Sequence, residues 1–365
     1  DHAWNVPPSL RPADYKRKVE IASGKAVVDF ALHSGTTPQK DVLDAIPELI
    51  KLGAASLKMF LCVSVPEYPE VDDGSFLRAL DLIAKNSGIA SVHAENKYIL
   101  SLYEREIYEV SGRRDPLAHP ESRPSFAEGE ATDKAIKYAE HTDCPLFVVH
   151  MSAKEAVEAL EAGKRRGVKV YGETCPQYLL FTIDDMKRLG PYLKFNPPVR
   201  SKEHTEALWK AVQNGLINCI GTDHCAYLKR EKEPGWEDIR KAVPGIPGLA
   251  EKTAIMLTKG VLEGKITLRQ FIKLCSENPA RIFGWYPQKG TIQVGSDGDV
   301  IIVDMKKRVK VSLERLRTRS EFTPYEGWEL AGWPTHTIVR GTVVCQDGEI
   351  VGKPGFGKYT PRKAS

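Results

Sequence analysis

Residues 145–174 read PLFVVHMSAKEAVEALEAGKRRGVKVYGET. The opening run, 145–151, is apolar and β-branched, the pattern of a strand buried on both faces. Residues 153–166 are amphipathic at helical spacing. They follow Ser152, with Glu155 three residues on, which predicts a capping box. Residues 168–174 return to a strand. Strand, helix, strand in so short a span is a βαβ unit, and such units build parallel sheets.

The alternation continues outward in both directions. Strands are predicted at 26–32 (AVVDFAL), 56–61 (SLKMFL), 89–94 (IASVHA) and 217–223 (INCIGTD), with a weaker one at 193–196 (LKFN). Amphipathic segments at 38–52, 75–87, 128–141 and 203–214 fall between them. Six or seven units favour a (β/α)8 barrel over an open sheet, and no GxGxxG follows the first strand, which weakens a dinucleotide-binding reading. Beyond about residue 285 the pattern changes. Residues 289–304 (KGTIQVGSDGDVIIVD) and 336–346 (HTIVRGTVVCQ) alternate between Gly and Asp breaks and read as β-hairpins. The predicted fold is α/β, a (β/α)8 TIM-type barrel lacking its first strand, followed by part of a small β-sandwich domain. The expected divisions are a barrel of strands 2–8 over 1–285, the β domain over 286–350, and an extended tail over 351–365.

Composition agrees with a globular chain. Of 365 residues, 42% are apolar and 27% charged, and the formal charge is only +4. That leaves no basic footprint for nucleic acid, and the apolar share excludes intrinsic disorder. No stretch is long and apolar enough for a membrane span. The seven cysteines are scattered without spacing, which points to a reducing compartment and a cytoplasmic location.

Reactive groups of such barrels sit at the C-terminal ends of strands. Lys58, His93, His150 and Asp223 each end, or nearly end, a predicted strand. Each alone has a plain reading: a hydrogen-bonded core histidine, an Asp223-His224 helix cap, a lysine snorkelling at a rim. Together, four such residues on four strands converge on one mouth. Two imidazoles and a carboxylate make a plausible zinc set. A lysine carboxylated by carbon dioxide would add a carbamate able to bridge two metals. His33, ending the first predicted strand, is a weaker candidate for the same mouth. His2, His119, His141, His204 and His336 read as solvated or capping, and neither Cys175 nor Cys225 has the partners of a nucleophile.

These segments resemble the cyclic amidohydrolases, the D-hydantoinase and dihydropyrimidinase branch with allantoinase and dihydroorotase as relatives. The resemblance rests on SLKMFL (56–61), VHAEN (92–96), SRPSFAEGEA (122–131), FVVHMS (147–152), GETCPQYLLFT (172–182), NPPVR (196–200), GTDHC (221–225), NPARIFG (278–284), PYEGWELAGW (324–333) and VGKPGFGKY (351–359). It implies that Lys58 is the carboxylated lysine of strand 4, that His93 and His150 lie on strands 5 and 6, and that Asp223 lies on strand 8. It further implies two divalent metals, zinc by expectation, about 3.5–4 Å apart. Lys58 would bridge them, and Asp223 would serve as both ligand and proton acceptor. Asn196 and Gly245 would contact substrate.

The departures matter as much. The family carries a His-x-His pair at the end of strand 1, and this sequence has none. Asp1-His2 resembles the end of strand 2. The expectation is a chain truncated at its N terminus that retains metal weakly and turns over little by itself. The alternative is natural loss of metal sites, as in the non-catalytic dihydropyrimidinase-related scaffolds. Val63 stands where hydantoinases have a Tyr. Asn196 and the GIPGL run (245–249) lean toward dihydroorotase and allantoinase. The expected activity is metal-dependent hydrolysis of a cyclic amide or imide by a metal-bridging hydroxide, in a homo-oligomer, tetramer or dimer, with residues 351–365 between subunits.

Overall fold

A computed structural model describes residues 7–363; Asp1 and His2, with the strand end assigned to them, lie outside it. Six parallel strands form one sheet: β1 (Ser34–Gly35), β2 (Leu57–Phe60), β3 (Ala90–His93), β4 (Leu146–Val148), β5 (Val170–Thr174) and β6 (Cys219–Ile220). Their order is sequential, β1-β2-β3-β4-β5-β6. A doubly wound sheet reverses its strand order at a switch point. Unbroken sequential order with helical crossovers is the winding of a barrel. The register sets Lys58 opposite Ser91 and Phe60 opposite His93, so alternate side chains of neighbouring strands share the inner face.

The helices form where apolar periodicity was legible. Asp73–Lys85 buries Phe76, Ala79, Leu80 and Ile83, and Asp72 caps it by accepting the Ser75 N–H. Lys154–Arg165 buries Ala156, Val157, Ala159, Leu160 and Gly163. Its expected capping box is absent. Ala153 is the N-cap residue, and the Glu128 carboxylate, from helix Ser125–Thr142, accepts the N–H groups of Ser152 and Ala153 at 2.7 and 3.1 Å. Ser152 gives its hydroxyl to the same carboxylate. A buried acid on a neighbouring helix thus takes both the Ser152 hydroxyl and the Ser152 N–H that the box would have used.

Residues 26–32 are not a barrel strand. Among the described residues the strand of this unit is Ser34–Gly35, and 26–30 bond instead to the far end of the chain. Phe30 N–H donates to Lys358 O, Thr360 N–H to Phe30 O, and Gly357 N–H to Ala26 O, at 2.8–3.0 Å. Residues 355–362 therefore lie on their own barrel, anchored by the Tyr359 hydroxyl on Leu52 O at 2.8 Å, while Val351 and Gly352 bond to Val344 O. The weak 193–196 strand is likewise not one: Gly190–Leu193 is a 3-10 turn.

After the barrel, β7 (Val300–Lys310), β8 (Glu329–Val339), β9 (Thr342–Gln346) and β10 (Glu349–Ile350) form a four-stranded antiparallel sheet in the order β10-β9-β8-β7. The hairpin expected in 336–346 is present, turning at Arg340-Gly341, both with positive φ, as a tight hairpin turn requires. The one expected within 289–304 is not, because β7 takes its partner from β8 instead. One layer of the expected sandwich is present among the described residues. The main core is continuous from Tyr15 through the barrel helices to Tyr325 and Leu330 of this second part. No helix among the described residues is long and apolar enough to cross a membrane.

Candidate metal centre

The C-terminal ends of the strands open into a cavity of about 390 Å³. Lys58, His93, His150, Asp223, Asn196 and Gly245 all line it, together with Phe60, Cys62, Val63, Tyr227 and others. The six residues singled out in sequence thus come together, although they span nearly 190 positions of the chain.

Lys58 is the second residue of β2 and is 1% exposed. Burial pushes its ammonium down to about 8, against the opposing pull of Asp223 and Glu173. His93 ends β3. His150 follows β4 and Asp223 follows β6, both in the left-handed region, at φ 42° and 46°. A non-glycine residue there costs about 1–3 kcal/mol. Two such residues, at the ends of strands flanking β5, mean that the surrounding structure holds the site in shape.

His93 Nε2 lies 2.6 Å from Glu95 Oε2. The carboxylate can only accept, so the proton sits on Nε2 and the lone pair on Nδ1. That Nδ1 faces His150 Nε2 at 3.0 Å. Two imidazole nitrogens on one zinc ion, bound at about 2.0–2.1 Å with tetrahedral angles, lie about 3.4 Å apart. The pair therefore fits a shared metal after a shift of a few tenths of an ångström. Glu95 is the carboxylate that commonly orients a ligating histidine from behind.

Glu95 is in turn gripped by Arg123, with Nη2 at 2.6 Å and Nε at 3.1 Å. The guanidinium and His93 hold its carboxyl far below the usual range despite burial. Arg123 O accepts from Arg200, whose Nη2 reaches Glu128 Oε2 at 3.1 Å and whose Nε reaches Ser152 at 3.1 Å. The motifs at 92–96, 122–131, 147–152 and 196–200 are thereby one buried charged network. Cys62 Sγ, His93 and Glu95 also cluster at ligand distances. Arg123 already supplies the cation there, 3.6 Å from Cys62, and burial pushes the thiol up to about 12.

Three functional neighbours escaped the sequence reading: Glu95, Arg123 and Glu173. Their signal was a charge inside an otherwise buried motif, in VHAEN, SRPSF and GETCP. Glu173 accepts the His150 N–H at 3.3 Å, and burial, reinforced by Asp223, raises its carboxyl to about 7. Its carboxylate fills the space above Gly221, where a Cβ would lie 2.5 Å from it. His33 does not reach the cavity. Its Nδ1 bonds Ser56 at 2.7 Å and its ring packs on Phe283 at the opposite end of the strands. His119 is buried rather than solvated, donating to Phe195 O at 3.1 Å.

The sequence profile of the Amidohydrolase family matches residues 24–344. The chain belongs to the amidohydrolase family. Its curated relatives include an L-hydantoinase of Paenarthrobacter aurescens, 38% identical over 98% of this chain and 78% of the relative. A D-hydantoinase of Geobacillus stearothermophilus is 36% identical over 93% of this chain and 73% of the relative. Among solved structures, an L-hydantoinase (dihydropyrimidinase) from Arthrobacter aurescens superimposes with a TM-score of 0.95 at 38% identity, covering 98% of this chain and 79% of that one. In this amidohydrolase the barrel winding brings Lys58, His93, His150 and Asp223 to one cavity.

Proposed function

We propose that this amidohydrolase opens a cyclic amide or imide ring of the hydantoin or dihydropyrimidine type by hydrolysis at the cavity described above. The observation that supports it most strongly is the convergence of Lys58, His93, His150 and Asp223 on one cavity, with His93 Nδ1 and His150 Nε2 turned toward each other.

His93, His150 and Asp223 would hold divalent metal, zinc by their donor chemistry, and Lys58 would join them as a carbamate and bridge a second ion. The lowered pKa of Lys58 leaves about a tenth of it as free amine at neutral pH, against well under a thousandth at the ordinary value. The free amine is the form that adds to carbon dioxide. Metal held there supplies Lewis acidity and brings the pKa of water toward 7. Asp223 is buried, and its carboxyl is raised by that burial. It would accept the proton of the attacking water and return it to the leaving ring nitrogen. Asn196 Oδ1 is buried with no partner among the described residues, and it accepts a ring N–H. Gly245 forms the wall, where a Cβ would collide with Cys225 and Tyr227 at 2.7–2.8 Å.

The test, run on the full-length parent that the sequence reading expects, is a ring-opening panel of hydantoin, dihydrouracil, allantoin and dihydroorotate, with metal content measured on the same protein. Turnover of one ring and about two metals per subunit support the proposal. Protein that binds no metal and opens no ring under zinc and bicarbonate is a scaffold instead.

A further inference from the structure

The cavity wall at Val243–Gly245 is irregular backbone. What holds it is a pair of buried lysines. Lys232 is 0% exposed and aims its ammonium at three carbonyls: Lys194 O at 2.9 Å, Val243 O at 2.8 Å and Gly245 O at 2.9 Å. Lys194, 7% exposed, aims its own at Ile239 O at 2.8 Å, Arg240 O at 3.2 Å and Ala242 O at 2.5 Å. The Gly245 N–H closes the loop by donating to Lys194 O at 2.9 Å. An ammonium has three donors and no acceptor, so each lysine is saturated: Lys232 by the wall and Lys194 O, and Lys194 by residues 239–242, which lead into the wall.

Neither lysine has a carboxylate within ion-pair distance among the described residues. A buried cation without a counter-charge is expensive, and well-packed apolar side chains serve stability better. Retaining two of them side by side calls for a role other than packing. Lys194 also stands two residues before Asn196, so the pair governs both predicted substrate contacts. Neither touches Lys58, His93, His150 or Asp223.

We propose that Lys232 and Lys194 are positioning residues that clamp the Val243–Gly245 wall and Asn196 against the substrate ring, setting substrate affinity independently of the metal chemistry. This rests on reading the cavity as the cyclic-amide site. The experiment, in the full-length parent that the sequence reading expects, is steady-state hydrolysis of hydantoin and dihydrouracil by the wild type, Lys232→Met, Lys194→Met and Lys232→Arg, with metal content measured in parallel. Methionine keeps length and volume and removes the donors. Both methionine variants are expected to raise KM tenfold or more, with kcat within threefold and metal content unchanged, and Lys232→Arg to recover part of KM. Lys241→Met, at an exposed lysine of the same loop that pairs with Glu237, is expected to leave KM unchanged. Should Lys232→Met not fold, Lys194→Met carries the test. Wild-type KM in the methionine variants, or parallel loss of kcat and metal, overturns the proposal and leaves the function standing. Failure of the wild type to open either ring overturns both.

Discussion

Replacing Glu95 by Gln separates orientation of a metal ligand from fold stability. Glu95 is fully buried and accepts three bonds, from Arg123 Nη2 at 2.6 Å, Arg123 Nε at 3.1 Å and His93 Nε2 at 2.6 Å. Gln keeps one acceptor oxygen and turns an NH2 toward one of the two donors. It also leaves the buried Arg123 guanidinium with only the partly exposed Glu104 carboxylate, 3.4 Å from Nη1, as counter-charge. Breaking a buried pair in this way costs about 3–5 kcal/mol, and the retained oxygen puts Glu95→Gln near the lower bound. With an unfolding entropy of about 2 cal/mol/K per residue, 3 kcal/mol lowers Tm by about 4 °C in a chain of this size. Loss of the orienting carboxylate costs a further 10–100-fold in metal affinity, by about the measure of other such partners. The double variant Glu95→Gln/Arg123→Gln removes the cation that has lost its buried partner. It is expected to regain most of the stability and none of the metal affinity. Thermal unfolding and zinc titration into chelator-treated protein read the two quantities separately. Unaltered zinc affinity in Glu95→Gln, or affinity restored in the double variant, would refute the assignment of Glu95 as the group that fixes His93.

In the full-length parent, Lys58→Ala is expected to lose metal and turnover together while keeping a native circular dichroism spectrum; full metal content in that variant would remove Lys58 from the site. Gly221→Ala places a Cβ 2.5 Å from the Glu173 carboxylate, two residues before Asp223. It is expected to cut turnover at least 100-fold, an effect that Glu173→Ala in the same chain partly relieves, both read by ring-opening rate. Glu95 has a depressed carboxyl in the folded state, so its share of stability is complete above the unfolded value of about 4.3 and is lost as pH falls below it. Urea midpoints measured from pH 6 to pH 3 should therefore fall more steeply for the wild type than for Glu95→Gln/Arg123→Gln, and equal slopes would count against the ion pair.

Much of the barrel was legible because both faces of its strands are buried and its helices are amphipathic, so each element announces itself locally. SLKMFL, IASVHA and PLFVVHM became strands that differ from the expected spans only at their ends. The segment 26–32 misled because AVVDFAL has the strand pattern, while its hydrogen bonds go to residues 355–360, a pairing no local window contains. Ser152 misled in a similar way: the cap spacing is present, but Glu128 takes the amides first. The metal candidates were legible as polar residues at strand ends. Their partners were not, since Glu95, Arg123 and Glu173 are ordinary charges until burial and mutual distance are known.

The sequence by itself determined the βα alternation, and with it the face on which Lys58, His93, His150 and Asp223 meet, because strand direction and strand-end placement are set by local pattern. Tertiary structure alone decided which nitrogen of His93 is bare, which glycines make room for Glu173 and for the cavity wall, and which lysines hold that wall. Those outcomes depend on donors and acceptors that lie tens to hundreds of residues apart and find each other only after water has been excluded between them.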